Sequence, residues 1–165
     1  MKNYLSRALF LCLVILSACT QKTIFSDVQT LPISGWEADS AVTFTTNIRD
    51  TISLYDIIIY VRHNDHYPYQ NAWLIVEHSY FQPSVSDSVV TVQEQKQIDT
   101  IEFYLADQRG RWLGNGAGKI KEMPVLFEHD YRFATDSIHS FSIRHAMRED
   151  KLKGLTDIGI RVVHP

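Results

Sequence analysis

The feature that most narrows what this chain can fold into is a hydrophobic period of two. In the run Ile57-Ile58-Ile59-Tyr60-Val61-Arg62, Ile57, Ile59 and Val61 fall on one side of an extended backbone, and Ile58, Tyr60 and Arg62 on the other. That spacing is the mark of a strand. Similar runs, rich in β-branched and aromatic residues, recur at Ala41–Ile48, Tyr55–His63, Ala72–Tyr80, Thr100–Asp107, Lys119–Phe127, Tyr131–Thr135, Ile138–His145 and Thr156–His164. Turn-prone stretches at Asn64–Asn71, Gln108–Gly118 and His129–Asp130 separate them. Eight short strands with these punctuations predict an all-β chain, a single antiparallel β-sandwich of jelly-roll-like type. Several strands are apolar on both faces, which implies burial on each side or an outer face covered by a loop or a partner. Met147–Lys153 alone has helical composition, with Gly154 placed to end a turn or two. Pro83–Gln97 is polar and reads as an exposed hairpin or a long loop.

The first 18 residues have a different logic. Lys2 and Arg7 precede an apolar core, Ala8 to Leu16, too short to span a bilayer, and small residues follow it. This is the order of a secretory signal. Its end, Leu16-Ser17-Ala18-Cys19, resembles the bacterial lipobox, so residues 1–18 are expected to be removed and Cys19 to carry lipid. Each buried methylene adds roughly 0.8 kcal/mol, and the three acyl chains typical of such proteins make attachment close to permanent. Residues 19–30 then read as a polar tether, with Thr23 to Val28 able to lend an edge strand instead, and residues 31–165 as the sandwich.

Cysteine usage and charge exclude several classes of function. The two cysteines are Cys12, inside the signal, and Cys19, so the exported domain folds without disulfides and has no thiol for catalysis, redox exchange or zinc. The formal charge is −3, and the signal removes two cations and no acid. No patch is basic enough to release counterions from phosphates, so nucleic acid is not an expected partner.

Sites of chemistry are sparse. No serine lies in a Gly-x-Ser-x-Gly elbow. His63-Asn-Asp-His66 is the one close histidine cluster, and a metal-dependent hydrolase built on His63, Asp65 and His66 is a rival reading, but a polar turn is the simpler account. Glu77 and Glu102 alternate with apolar residues as on the solvent face of a sheet. The glycine-rich Asp107–Gly118 lacks the Lys-Ser/Thr ending and the following helix that a phosphate loop needs. Its glycines suit a tight turn and close backbone approach, with Trp112 packing over the gap. The aromatic residues Tyr67, Tyr69, Trp73 and the Arg-flanked Trp112 could be core, an interface anchor or a platform for sugar rings, Trp112 being the one expected to be exposed. A glycan-binding module is therefore a further rival.

Three segments, Arg62–Leu74, Leu105–Gly118 and His145–Arg161, together resemble the gliding-motility-associated lipoprotein H family of the Bacteroidetes. The resemblance implies an envelope lipoprotein, not an enzyme, that supports surface gliding with other lipoproteins or membrane proteins of the motility and secretion apparatus. It implies no catalytic residues and no cofactor beyond the lipid on Cys19. In that phylum surface export favours acidic residues soon after the lipid cysteine. Thr20-Gln21-Lys22-Thr23 has none, so the domain is expected to face the periplasm, and the lack of Asp after Cys19 leans to the outer membrane. The expected binding patch is Arg62, Asn64, Tyr67, Arg111, Trp112, His145 and Arg148, which gather in polar-aromatic turns flanking strands.

Overall fold

The computed structural model describes residues 22–86, 89–116 and 118–165. The signal and the lipobox with Cys19 lie outside the described residues. The order of elements is β1 (Thr23–Thr30), β2 (Trp36–Glu37), β3 (Val42–Ile48), β4 (Tyr55–His63), β5 (Asn71–Ser86), β6 (Val89–Tyr104), β7 (Lys121–Tyr131), β8 (Ser137–His145), β9 (Lys151–Leu152) and β10 (Leu155–Val163). One sheet has the order β1-β10-β4-β7 and the other β3-β8-β5-β6, with β2 and β9 paired between loops. Each pairing is antiparallel. With the two-residue pair set aside, consecutive strands alternate between sheets except at the β5–β6 hairpin, the pattern of the eight-strand double Greek key of a jelly roll.

The core forms where the two alternating faces meet. Ile57, Ile59 and Val61 of β4 are fully buried, as are Ala72, Leu74 and Val76 of β5, Phe141 and Ile143 of β8, and Ile158 and Val162 of β10. β3 shows the plainest alternation, with Val42, Phe44, Thr46 and Ile48 inside and Thr43, Thr45 and Asn47 outside. The second apolar face of β4 is not roofed by a loop. Arg161 of β10 instead lies over the Tyr60 ring, 4.5 Å from its centre, a cation–π contact that uses the aliphatic and aromatic surface together.

Several boundaries differ from the sequence reading. Residues 23–30 are strand, since β1 pairs along β10 from Thr23↔Val163 to Thr30↔Asp157. The edge-strand alternative is therefore the one realised, and it extends two residues past Val28. Pro83–Gln97 is a hairpin, the far half of β5 and β6, which pair from Asn71↔Tyr104 to Ser86↔Val89. Tyr131–Thr135 is not a separate strand, because β7 ends at Tyr131 and Phe133 is buried in the loop that follows. Pro124 is accommodated inside β7 because β7 is a sheet edge. Met147–Lys153 is not a helix. It is too short to overcome helix nucleation alone, and Trp36 and Glu37 capture its end as β9, with the Ala38 amide donating to the Asp150 carbonyl (2.9 Å).

The two ends of the sandwich are unlike. The end holding Tyr55, Phe133 and the C-terminus of β10 contains a buried histidine pair, in which His78 Nε2 lies 3.0 Å from His139 Nδ1 and the His78 ring stacks on Phe141. The other end carries four connections: residues 31–41 after β1, 64–70 after β4, 105–120 after β6 and 146–154 after β8.

Candidate functional site

These four connections gather every residue of the expected patch at or beside one end of the fold, and backbone bonds tie them into a single unit. The first and fourth are joined by β2 and β9, by the Lys151–Glu37 ion pair (2.6 Å) and by His145 Nε2 donating to the Trp36 carbonyl (3.0 Å). The second and fourth meet where the Asn64 amide donates to the Gly154 carbonyl (2.9 Å). Gly154 has φ +89°, and a Cβ there would lie 2.4 Å from the backbone of Tyr67, so only glycine allows the two loops this close. The second and third are joined by Gln70, whose carbonyl accepts the amides of Leu105 (2.7 Å) and Ala106 (3.0 Å).

The third connection folds back on itself. Asp107 Oδ1 accepts the amides of Arg109 and Arg111, both at 2.9 Å, and its Oδ2 accepts Arg111 Nε at 2.7 Å. Those bonds hold the Asp107 carboxyl below its ordinary range, the Arg111 amide contributing most. The alternating glycines do what their spacing suggested. Gly114 has φ +81° with its backbone against the Glu122 carbonyl, while Asn115 and Glu122 exchange backbone bonds of 2.9 and 2.7 Å.

The expected patch residues divide into two groups. Tyr67 is 3% exposed and His145 1%, so these two are not contact residues. They fasten the loops from inside, since the Tyr67 hydroxyl donates to the Asn71 carbonyl (2.9 Å) and His145 packs edge-on to Trp36. Asn64 is half-buried and organises its own turn, its side-chain oxygen accepting the His66 amide (3.0 Å). Trp112 is half-buried with its ring 4.6 Å from that of His63, which corrects the expectation that it would be the exposed tryptophan. Burial pushes the His63 and His145 imidazoles below their ordinary pKa, so both are neutral at neutral pH. Arg62, Arg111 and Arg148 remain available to a partner. Arg62 Nε meets Glu122 at 2.7 Å with nearly half its side chain in solvent, and Arg111 projects beyond Asp107. Arg148 is exposed and has no ion pair among the described residues.

Beside Arg148 is an open groove of about 590 Å³, lined by Tyr69, Asn71, Trp73, Met147, Arg148 and Glu149. Trp73 is 38% exposed on its wall, the Tyr69 hydroxyl donates to Glu149, and Asn71 Nδ2 donates to Glu102 (2.6 Å). Trp73, Met147 and Glu149 were not among the expected patch residues. Their signal lay in the aromatic cluster around Pro68, but the uninterrupted apolar run Ala72–Val76 hides which members face out. His63, Asp65 and His66 do not gather as ligands. His63 is buried against Trp112, His66 is exposed, and Asp65 lies 3.5 Å from Lys119. Among the described residues the group whose ligand atoms do converge is Asp56, His129 and Asp130, at the opposite end. There His129 is 2.8 Å from Asp56 and 3.4 Å from Asp130. The Asp56 hydrogen bond, and then the charges of Asp130 and Asp56, raise its pKa above the ordinary value.

Comparison with known proteins extends over nearly the whole chain. The sequence profile of the family described as GldH lipoprotein matches residues 23–162, from the start of β1 almost to the end of β10. A protein of Christiangramia forsetii named gliding motility lipoprotein GldH homolog is 30% identical, over 98% of this chain and 97% of its own length. The gliding motility lipoprotein GldH of Flavobacterium johnsoniae is 29% identical, over 95% of this chain and 94% of its own. The chain belongs to the GldH lipoprotein family.

Proposed function

We propose that this chain is a lipid-anchored, non-catalytic accessory of the gliding-motility machinery, and that the four-loop end is where it docks another envelope protein. The family is one of lipoproteins linked to gliding motility, which makes the chain a membrane-anchored envelope protein. The finer assignments are lipid on Cys19, attachment to the outer membrane and a domain facing the periplasm, and they rest on the lipobox and the residues after it.

One observation carries the docking reading. Several polar side chains of the loop end are held by one another, Arg111 by Asp107, Arg62 by Glu122 and Tyr69 by Glu149, and Tyr67 by the Asn71 carbonyl. This fixes a shape with exposed arginine and tryptophan. Exposed Arg and Trp beside a groove are the usual anchors of an interface. Confinement by the lipid raises the effective concentration at which a modest patch meets its partner.

The test is recovery of envelope proteins on the lipidated chain from gently solubilised membranes, beside an Arg111→Ala/Arg148→Ala variant. Recovery by the native chain alone supports docking at this end, and identical recoveries refute it. The groove favours a second reading, since Trp73 and Tyr69 with Asn71 and Glu149 could stack and hydrogen-bond a saccharide. Titration with cell-wall and surface oligosaccharides, read by Trp fluorescence, would show saturable binding in that case.

A further inference from the structure

The β5–β6 hairpin outruns the sheet to which it belongs. Its register with β8 ends at Tyr80↔His139, while β5 and β6 stay paired to Ser86↔Val89. β8 itself continues two residues further, to Ser137 paired with Ile48, so the last four residues of β5, at about 3.3 Å each, project the hairpin roughly 13 Å past the sheet. Beyond Tyr80, β5 and β6 pair only with each other among the described residues. Along this projection Val92 (65% exposed), Val90 (67%) and Pro83 share one face, which at its root carries Phe81 (54%) opposite Glu94, while Gln82, Ser84, Thr91 and Gln93 take the other. From Gln82 to Gln93 the sequence has a single ionisable side chain, Asp87. A two-stranded arm whose outer part, beyond Glu94, presents an uncharged apolar face is poorly stable in water and prone to pairing with other chains, so such arms are covered in use.

The fold places this arm at the end from which the anchor departs. Thr23 pairs with Val163, Val163 with Asp56, and Asp56 follows Tyr55, the partner of Tyr131. The Tyr131 hydroxyl in turn lies 3.4 Å from His78, near the root of the arm. Thr23 is four steps along the chain from Cys19, and at about 3.6 Å each they span at most about 14 Å. The arm and the anchor therefore reach similar distances from the sandwich.

We propose that the hairpin is a second membrane contact, with Pro83, Val90 and Val92 seated in the lipid surface that holds the acyl chains. The proposal rests on Cys19 as the lipid anchor. Two attachments fix the tilt of the sandwich, and the four-loop end, at the far side of the fold, is then presented away from the bilayer at a set height. A lipid surface accounts for the neutral, apolar face and needs no partner to be present.

The test uses the full lipidated chain reconstituted into vesicles of phosphatidylethanolamine and phosphatidylglycerol. Val92→Cys carries an environment-sensitive fluorophore, and Ile33→Cys, at the four-loop end, carries the reference label. Lipids spin-labelled in the acyl chain are expected to quench the label at position 92 several-fold more than that at position 33. Equal, weak quenching on protein that floats with the vesicles would overturn the hairpin contact and leave the anchor standing. A label at position 92 shielded from both lipid and aqueous quenchers would overturn it in favour of a second copy or another protein. Native protein that fails to float would overturn the anchor at Cys19 and the proposal with it.

Discussion

Acid is expected to weaken this fold through one buried pair. The Thr135 carbonyl can only accept, so His139 Nε2 (3.1 Å away) carries a proton and His139 Nδ1 is the acceptor. His78 Nε2 must then donate across the 3.0 Å contact, leaving His78 Nδ1 to face the Tyr131 hydroxyl. Each ring is neutral, so a proton added to His139 breaks the bond between the rings, and one added to either charges the core. Burial, with His139 as a lesser cause, pushes the His78 pKa down to about 4 from 6.5. Between those values the unfolded chain binds the proton and the folded one does not. Stability is thus fully present above pH 6.5 and is lost as pH falls towards 4. At about 1.4 kcal/mol per unit the full displacement is worth about 3 kcal/mol, of which about 2 is expressed between roughly pH 7 and pH 4.5. His78→Gln keeps a donor and an acceptor without a titration in this range. Urea unfolding followed by Trp fluorescence at the two pH values measures both proteins. The native chain should lose about 2 kcal/mol more than His78→Gln on acidification. Parallel losses would refute the relay as the source of acid sensitivity.

The loop end gives further predictions. Gly154→Ala forces a Cβ into the Tyr67 backbone at positive φ, and should cost about 2 kcal/mol or more in thermal or urea unfolding. Tyr67→Phe removes the hydroxyl that satisfies the Asn71 carbonyl, and should cost about 1 kcal/mol in the same assay with the fold retained. Arg148→Ala, at an exposed residue, should shift stability by no more than about 0.5 kcal/mol, yet reduce recovery of envelope partners on the lipidated chain.

How much of this was legible in the sequence follows from how local each signal is. β3 and β4 announced themselves because Phe44, Ile57, Ile59 and Val61 alternate with residues that water or a neighbour can accept. β5 was legible as a strand, but not its facing. Ala72 is inside and the larger Trp73 outside, because antiparallel register with β8 (Leu74↔His145) sets the parity and residue size does not. The outer half of β5 and β6 was weakly marked because pairing with each other alone demands no buried face. Met147–Lys153 looked helical by composition, and tertiary pairing with Trp36 and Glu37 decided otherwise. Tyr67 and His145 were rightly drawn to the loop end but wrongly given to a partner. Their hydrogen-bonding atoms meet Asn71 and Trp36 inside the fold, and His145 and Trp36 are far apart in the chain.

The most direct test of the central claim, that the four-loop end docks an envelope protein, is site-specific photo-crosslinking in intact cells. A photoreactive residue would be placed at Trp73, Arg111 or Arg148, and at Thr45 on the exposed face of β3 as reference. The account predicts that the three loop-end positions crosslink to a common envelope protein and that Thr45 does not. Adducts from Thr45 with none from the loop end would contradict it.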